Sequence, residues 1–266
     1  MNKVIAKKSL GQNFLKNTKI ISDICDAGEV SVRDTVLEIG PGTGALTIEL
    51  LKRAGEVIAV EKDTELISLL SEKFSSEISS GKLKIINEDI LENDVESLLI
   101  NKKYKLIANI PYYITGAIIK KFLTAKNKPT LAVLLVQKEV AERAIAKDKK
   151  ESILSVSIKA YGEPEYISTV KKGNFVPAPK VDSAILKIKN ITDENFTDNK
   201  ISEEKFFEFV HDIFGHKRKT IIAGLKISHP QLVAPILNYF EKEKIDIRIR
   251  AEDLDIRTIF QLITNC

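Results

Sequence analysis

The sequence predicts an α/β chain: a doubly wound sheet of seven mostly parallel strands, followed by a small all-helical domain. Three observations carry that expectation. Short apolar runs alternate with stretches of helical spacing, a glycine-rich turn follows the first of those runs, and the tail after residue 204 holds only helical periodicity.

The strands are expected at "TVLEI" (35–39), "VIAVE" (57–61), "LKIIN" (83–87), "KLIAN" (105–109) and "LAVLLV" (131–136). Their Val and Ile content, without strict alternation, suits strands buried on both faces. Helical spacing falls between them at 44–53, 63–74, 92–100 (weakly) and 115–124. "ESILSVSIKAYG" (151–162) fits either state by pattern and is read as a helix on its length. "EYISTV" (165–170) and "SAILKIK" (183–189) complete the seven strands. The polar stretch "NITDENFTDNKISEE" (190–204) reads as a linker. Beyond it "KFFEFVHDIFGHKRKTIIAGL", 231–240 and "AEDLDIRTIFQLI" have helical spacing. Two domains are therefore expected, 1–190 and 191–266.

With 266 residues, 44% hydrophobic and 29% charged, the chain has ample material for a core. No apolar run reaches the ~18 to 20 residues that span a bilayer. The first residues, "MNKVIAKKSLGQNFL", lack the apolar segment of a secretory signal, so a cytoplasmic protein is expected. Cys25 and Cys266 have no metal-ligand spacing and read as reduced thiols; no metal site is expected. His211, His216 and His229 read as ordinary surface or helix residues. Net charge is +4, with 30 Lys and Arg against 24 Asp and Glu in residues 1–190 and 11 against 13 in the rest. Basic clusters recur at Lys7-Lys8, Lys102-Lys103-Lys105, Lys120-Lys121, Lys147-Lys149-Lys150, Lys171-Lys172 and "HKRK" (216–219). Either they are solvated faces of ordinary elements, or they meet a polyanion, whose phosphates supply sequence-independent affinity.

"VLEIGPGTGALTIELL" (36–51) is a buried strand, a glycine turn and an amphipathic helix. Gly40, Gly42 and Gly44 let backbone approach a ligand where a Cβ would clash. Glu61 ends the next strand, where a carboxylate accepts from two ribose hydroxyls. The pattern Gly40-x-Gly42-x-x-Ala45 also fits a dinucleotide turn, so NAD competes with S-adenosylmethionine at this point. Asp89, after the third strand, is placed to accept from an adenine amino group, or else to cap a helix.

"NIPY" (109–112) ends the fourth strand at the same edge. Pro111 turns the chain and pushes Ile110 toward an extended conformation, so the Ile110 carbonyl points out of the ladder. Asn109 adds a side-chain carbonyl. Two acceptors side by side match an exocyclic amine with two hydrogens, and Tyr112 stacks on the base that bears it. Attack on a methyl sulfonium then needs orientation and acceptors for developing positive charge rather than a strong base.

Several stretches resemble the ribosomal RNA adenine N6,N6-dimethyltransferases of the small-subunit, kasugamycin-resistance type. "KKSLGQNFL" (7–15) is similar to their N-terminal signature, and "LEIGPGTGALT" and "AVEKD" to their cofactor motifs. "NIPYYIT" resembles their catalytic tetrapeptide in its setting. "FVPAPKVDSAI" (175–185) resembles their F-x-P-x-P-x-V-D-S segment, and "GHKRKT" with "RAEDLDIRTIFQL" resembles their tail. Tyr113 departs from the pattern, which often has Asn there. The resemblance implies a Rossmann-like class I methyltransferase fold with an RNA-binding C-terminal domain. It implies S-adenosyl-L-methionine held by Asn13, Leu15, Gly40, Glu61, Asp89 and Asn109, and a flipped adenine between Tyr112 and Phe175. It further implies dimethylation of two adjacent adenosines in the 3′-terminal hairpin of small-subunit rRNA, by a monomer acting on an assembling 30S particle. Three alternatives stand beside it: a large-subunit enzyme of the macrolide-resistance type, a non-enzymatic RNA-binding or transcription-factor relative, and an NAD-dependent oxidoreductase.

Overall fold

The computed structural model describes residues 6–92, 99, 102–216 and 218–265. The expected helix over 92–100, Lys217 of the "HKRK" cluster and Cys266 lie wholly or mostly outside them. The chain divides into two compact units, one running to Ala141 and resuming at Glu165–Ile191, the other formed by Glu142–Pro164 and the residues from Thr192 onward.

In chain order the elements begin with β1 (Phe14–Leu15), α1 (Thr18–Ala27), β2 (Thr35–Ile39), α2 (Ala45–Arg53), β3 (Glu56–Glu61), α3 (Thr64–Lys73), α4 (Ser75–Ser79) and β4 (Leu83–Asn87). Then come β5 (Tyr104–Asn109), α5 (Thr115–Leu123), β6 (Leu131–Gln137), α6 (Lys138–Ala144), α7 (Ile153–Lys159), β7 (Glu163–Val170), β8 (Phe175–Val176) and β9 (Ser183–Lys189). The tail supplies α8 (Glu194–Asn199), α9 (Glu203–Gly215), α10 (Ile221–Ser228), α11 (Val233–Lys242) and α12 (Ile256–Thr264).

All seven expected strands form one sheet in the order β4-β3-β2-β5-β6-β9-β7. The first five are parallel, and β9 returns antiparallel against β6. The interior strands are buried along nearly their whole length, as their Val and Ile runs require. From β2 the chain winds outward to β4, then restarts at β5 on the other side of β2. The carboxyl ends of β2 and β5 are therefore a topological switch point, where open α/β sheets bind ligands. Register places Ile39 beside Ala108, so Gly40 and Asn109 leave the sheet next to each other.

A second sheet escaped the apolar pattern. β1 pairs antiparallel with β8, setting Phe14 opposite Val176 and Leu15 opposite Phe175. Strands of two residues are too short for any periodicity to register. Helix α1 starts where the Asn17 side chain accepts from the amides of Lys19 and Ile20, and it buries Ile21, Ile24 and Cys25. Burial pushes the Cys25 thiol up to about 12.

The second unit corrects two expectations. Residues 142–164, including α7, belong with the tail rather than with the sheet. The stretch 190–204 is not a linker: Ile191, Phe196 and Ile201 are buried, and 194–199 is helical. Phe196 meets Tyr161 at 4.9 Å and Phe206 and Phe260 at 5.4 Å each. One aromatic ring in a polar stretch anchors it, because a buried Phe carries more apolar area than its neighbours lose. Among the described residues no helix is long and apolar enough to cross a membrane.

Candidate active site

The switch point opens a crevice that faces solvent, and its walls come from five segments. They are the N-terminal arm, the turn after β2, the end of β3, the turn after β4 and the turn after β5.

In the glycine turn Gly40, Gly42 and Gly44 all have left-handed φ (66°, 60° and 78°) that residues with a Cβ rarely adopt. Their surroundings differ. A Cβ on Gly40 would meet nothing nearer than the Asn109 carbonyl at 4.0 Å, so the backbone here faces open crevice. On Gly42 it would meet the Phe14 ring at 3.0 Å. On Gly44 it would strike the Phe74 ring at 2.6 Å, and Gly44 does not line the crevice. At Gly44 the missing Cβ thus makes room for a core phenylalanine, whereas a cofactor contact was expected there.

Glu61 is buried at the end of β3 and lines the crevice. Its Oε2 accepts from Gly42 N–H at 3.2 Å and its Oε1 from Asp63 N–H at 2.9 Å. Burial raises its pKa, and those backbone bonds work against the rise. Each carboxylate oxygen keeps a lone pair for a further donor. Asp89 accepts from Lys62 Nζ at 2.6 Å and from Leu91 N–H at 2.9 Å. The lysine, more than the amide, holds its carboxyl below the usual range.

The end of β5 is organised by the N-terminal arm. Asn109 Nδ2 donates to the Asn13 carbonyl at 3.1 Å. Because that carbonyl can only accept, Asn109 must turn its NH₂ toward it and leave Oδ1 unengaged. Among the described residues nothing donates to Asn109 Oδ1 or to the Ile110 carbonyl. The Tyr112 hydroxyl lies 2.5 Å from Ser183 Oγ at the start of β9, and burial raises its phenol pKa. Tyr113 is 65% exposed, with its ring against Gly11.

Asn13, Leu15, Gly40, Gly42, Glu61, Asp89, Asn109, Ile110, Pro111 and Tyr112 thus line one crevice. Phe175 does not. It is 2% exposed, sits opposite Leu15 in the β1–β8 pair and belongs to the core. The expected bracketing of a base by Phe175 and Tyr112 would require the Phe175 ring to leave this packing. Three contributors went unnoticed by pattern. Asp63 accepts from Lys7 Nζ at 2.7 Å and from Gln12 Nε2 at 2.8 Å, which ties the arm to the turn after β3. Burial opposes ionisation of Asp63, but these bonds and the Glu65 amide keep its pKa low. Ser183 is the third. Both Gln12 and Ser183 lie inside motifs visible in the sequence; their partners are distant along the chain.

The model of a family described as ribosomal RNA adenine dimethylase matches residues 4–266. The chain belongs to that family. Other comparisons agree with this dimethylase assignment. The chain is 44% identical over 256 residues to the Ribosomal RNA small subunit methyltransferase A of Dehalococcoides mccartyi, covering 94% of this chain and 85% of the relative. It is 41% identical over 261 residues to the protein of the same name from Fusobacterium nucleatum, covering 97% and 96%. Among solved structures it is similar to a dimethyladenosine transferase from Plasmodium falciparum (TM-score 0.78, 26% identity, 94% and 95% covered). It is also similar to the 23S rRNA methyltransferase ErmE (TM-score 0.77, 26% identity, 95% and 99% covered). The dimethylase is a methyltransferase with the Rossmann-like class I fold that the apolar pattern and the motifs led one to expect.

Proposed function

We propose that this dimethylase transfers methyl groups from S-adenosylmethionine to N6 of two adjacent adenosines in the 3′-terminal hairpin of small-subunit rRNA. The observation that carries the reading is the pair of unengaged acceptors, Asn109 Oδ1 and the Ile110 carbonyl, on the wall of the switch-point crevice.

The residues present fit the cofactor. Glu61 accepts from the ribose hydroxyls with the lone pairs its backbone donors leave free. Gly40 gives the open backbone surface that a Cβ would fill. Asp89 takes the adenine amino group of the cofactor, and Asn13 and Leu15 close the arm side. Gly42 holds Glu61 in place through its N–H. When bound, S-adenosylmethionine supplies an electrophilic methyl on a sulfonium.

The chain's own part is to hold the target amine. Asn109 Oδ1 and the Ile110 carbonyl each accept one N6–H, which favours a pyramidal nitrogen with its lone pair turned outward. The Tyr112 face supports the base. Developing positive charge on nitrogen strengthens both acceptor bonds, so the acceptors bind the transition state better than the ground state. The ammonium-like product then loses its proton to water, and no strong base is required.

A base reaches this crevice only unstacked, and RNA loops present such bases at low cost. The exposed Arg218 and Lys219 of the helical unit suit a role in phosphate contact. We further propose that the substrate is an assembling 30S particle and that the enzyme acts in the cytoplasm as a monomer.

A second reading, methylation of large-subunit rRNA, is favoured by the near-equal likeness to ErmE. The higher identity to small-subunit relatives supports the first. An NAD-dependent oxidoreductase would leave the two acceptors without a task. The test is labelled methyl transfer to immature small subunits and to large subunits, with mapping of the modified base. Label in the 3′-terminal small-subunit hairpin is expected, lost by about a hundredfold in Asn109→Ala with RNA affinity retained. Label in the large subunit supports the second reading, and transfer to neither overturns both.

A further inference from the structure

The "FVPAPKVDS" segment enters the site by its last residue. Ser183 is the first residue of β9, 0% exposed, and pairs with Gln137 of β6. Among the described residues its Oγ has one hydrogen-bond partner, the Tyr112 hydroxyl at 2.5 Å. Strands β5 and β9 flank β6, so they stand about 10 Å apart at the sheet edge. Tyr112, on the turn after β5, therefore crosses the carboxyl end of β6 to reach β9. The neighbouring Asp182 is held on three sides, which fixes where Ser183 stands. Its Oδ2 accepts from Lys171 Nζ at 2.9 Å and its Oδ1 from the Lys172 amide at 3.0 Å. Its carbonyl accepts from the Lys138 amide at 3.0 Å.

We propose that Ser183 is a positioning residue for methyl transfer: it fixes the far end of the Tyr112 ring while the Pro111 turn fixes the near end. The inference deepens the proposed function, resting on the reading that Tyr112 faces the target adenine. A ring pinned at both ends cannot swing about its Cα–Cβ bond, so the stacked base keeps one orientation. That matters more in the second transfer. After the first methyl is added one N6–H remains for two acceptors, and orientation depends more on the stack.

The experiment compares Ser183→Ala, Tyr112→Phe, the double variant and Tyr112→Ala on immature small subunits, with thermal midpoints measured alongside. Ser183→Ala and Tyr112→Phe are each expected to lower kcat roughly tenfold, leave KM for RNA within about twofold, and raise the ratio of monomethyl to dimethyl product. The double variant should match the slower single, because both hydroxyls act through one contact. Wild-type kcat and product ratio in Ser183→Ala would overturn the inference. So would losses that multiply in the double variant, or a loss that follows a lowered midpoint with a raised KM. Tyr112→Ala separates the two levels. An inactive Tyr112→Ala beside an unaffected Ser183→Ala defeats only the positioning role. A fully active Tyr112→Ala defeats the site reading and this inference with it.

Discussion

Glu38, two residues before Gly40, is a carboxyl with almost no contact with water. Thr47 Oγ1 donates to its Oε2 at 2.7 Å, one turn into α2. Burial pushes its pKa up from 4.5 to about 8; the Thr47 bond opposes the rise and the Glu61 charge adds to it. Between those values the folded chain keeps a proton that the unfolded chain has released. Stability therefore falls as pH climbs through the window from about 4.5 to about 8. Glu38→Gln keeps the acceptor for Thr47 and removes the titration. Its thermal midpoint should decline less than that of the wild type from pH 5 to pH 8.5, with an advantage at the upper end on the order of a few kcal/mol. Parallel curves would show that Glu38 is already ionised when folded. Glu38 also shows what residue types alone leave open: a motif places the acid at a strand end, and only burial makes it neutral.

The N-terminal arm is the element on which the crevice depends most. β1 itself is two residues long, yet the arm is fastened at Asp63 by Lys7 and Gln12 and at β8 by pairing. Between those points it lays Phe14 on Gly42 and offers the Asn13 carbonyl to Asn109. Gln12→Ala removes one charge-assisted bond to Asp63, whose amide holds Glu61. Calorimetry should find S-adenosylmethionine bound roughly three- to tenfold more weakly, as the loss of about one such bond implies. Unchanged affinity would mean that the arm is held by its β8 pairing alone. A similar lesson comes from α8. Its polar sequence hides one ring, Phe196, whose aromatic partners come from three other segments of the chain. Nothing within 190–204 announces them.

Over the whole molecule, charge is the property most changed by folding. Many clustered lysines pair with carboxylates: Lys102 with Glu56, Lys105 with Asp34, Lys147 with Glu142, Lys150 with Asp253 and Lys171 with Asp182. Exposed pairs of this kind contribute little to stability, so a phosphate can compete for such a lysine. Lys8, Lys103, Lys120, Lys149 and Lys172 have no carboxylate partner among the described residues. RNA affinity should fall about tenfold or more between 50 and 200 mM salt, which corresponds to roughly two phosphates neutralised. A filter-binding series checks this, and a flat dependence would mean that the basic clusters serve only as solvated faces.

The strands, the glycine turn, the NIPY turn and the order of the motifs were determined by the sequence itself. Each is a local property, set by apolar period, by φ and by the restriction proline imposes on its neighbour. Which members of a motif face the crevice was decided by the tertiary structure. Gly40 opens to the crevice while Gly44 makes room for Phe74, and Ser183 reaches Tyr112 while Phe175 sinks into the core. A side chain's direction along a strand alternates residue by residue, but the strand or ring it meets comes from dozens of residues away. Register and pairing between such distant segments are settled only when the sheet and the arm close together.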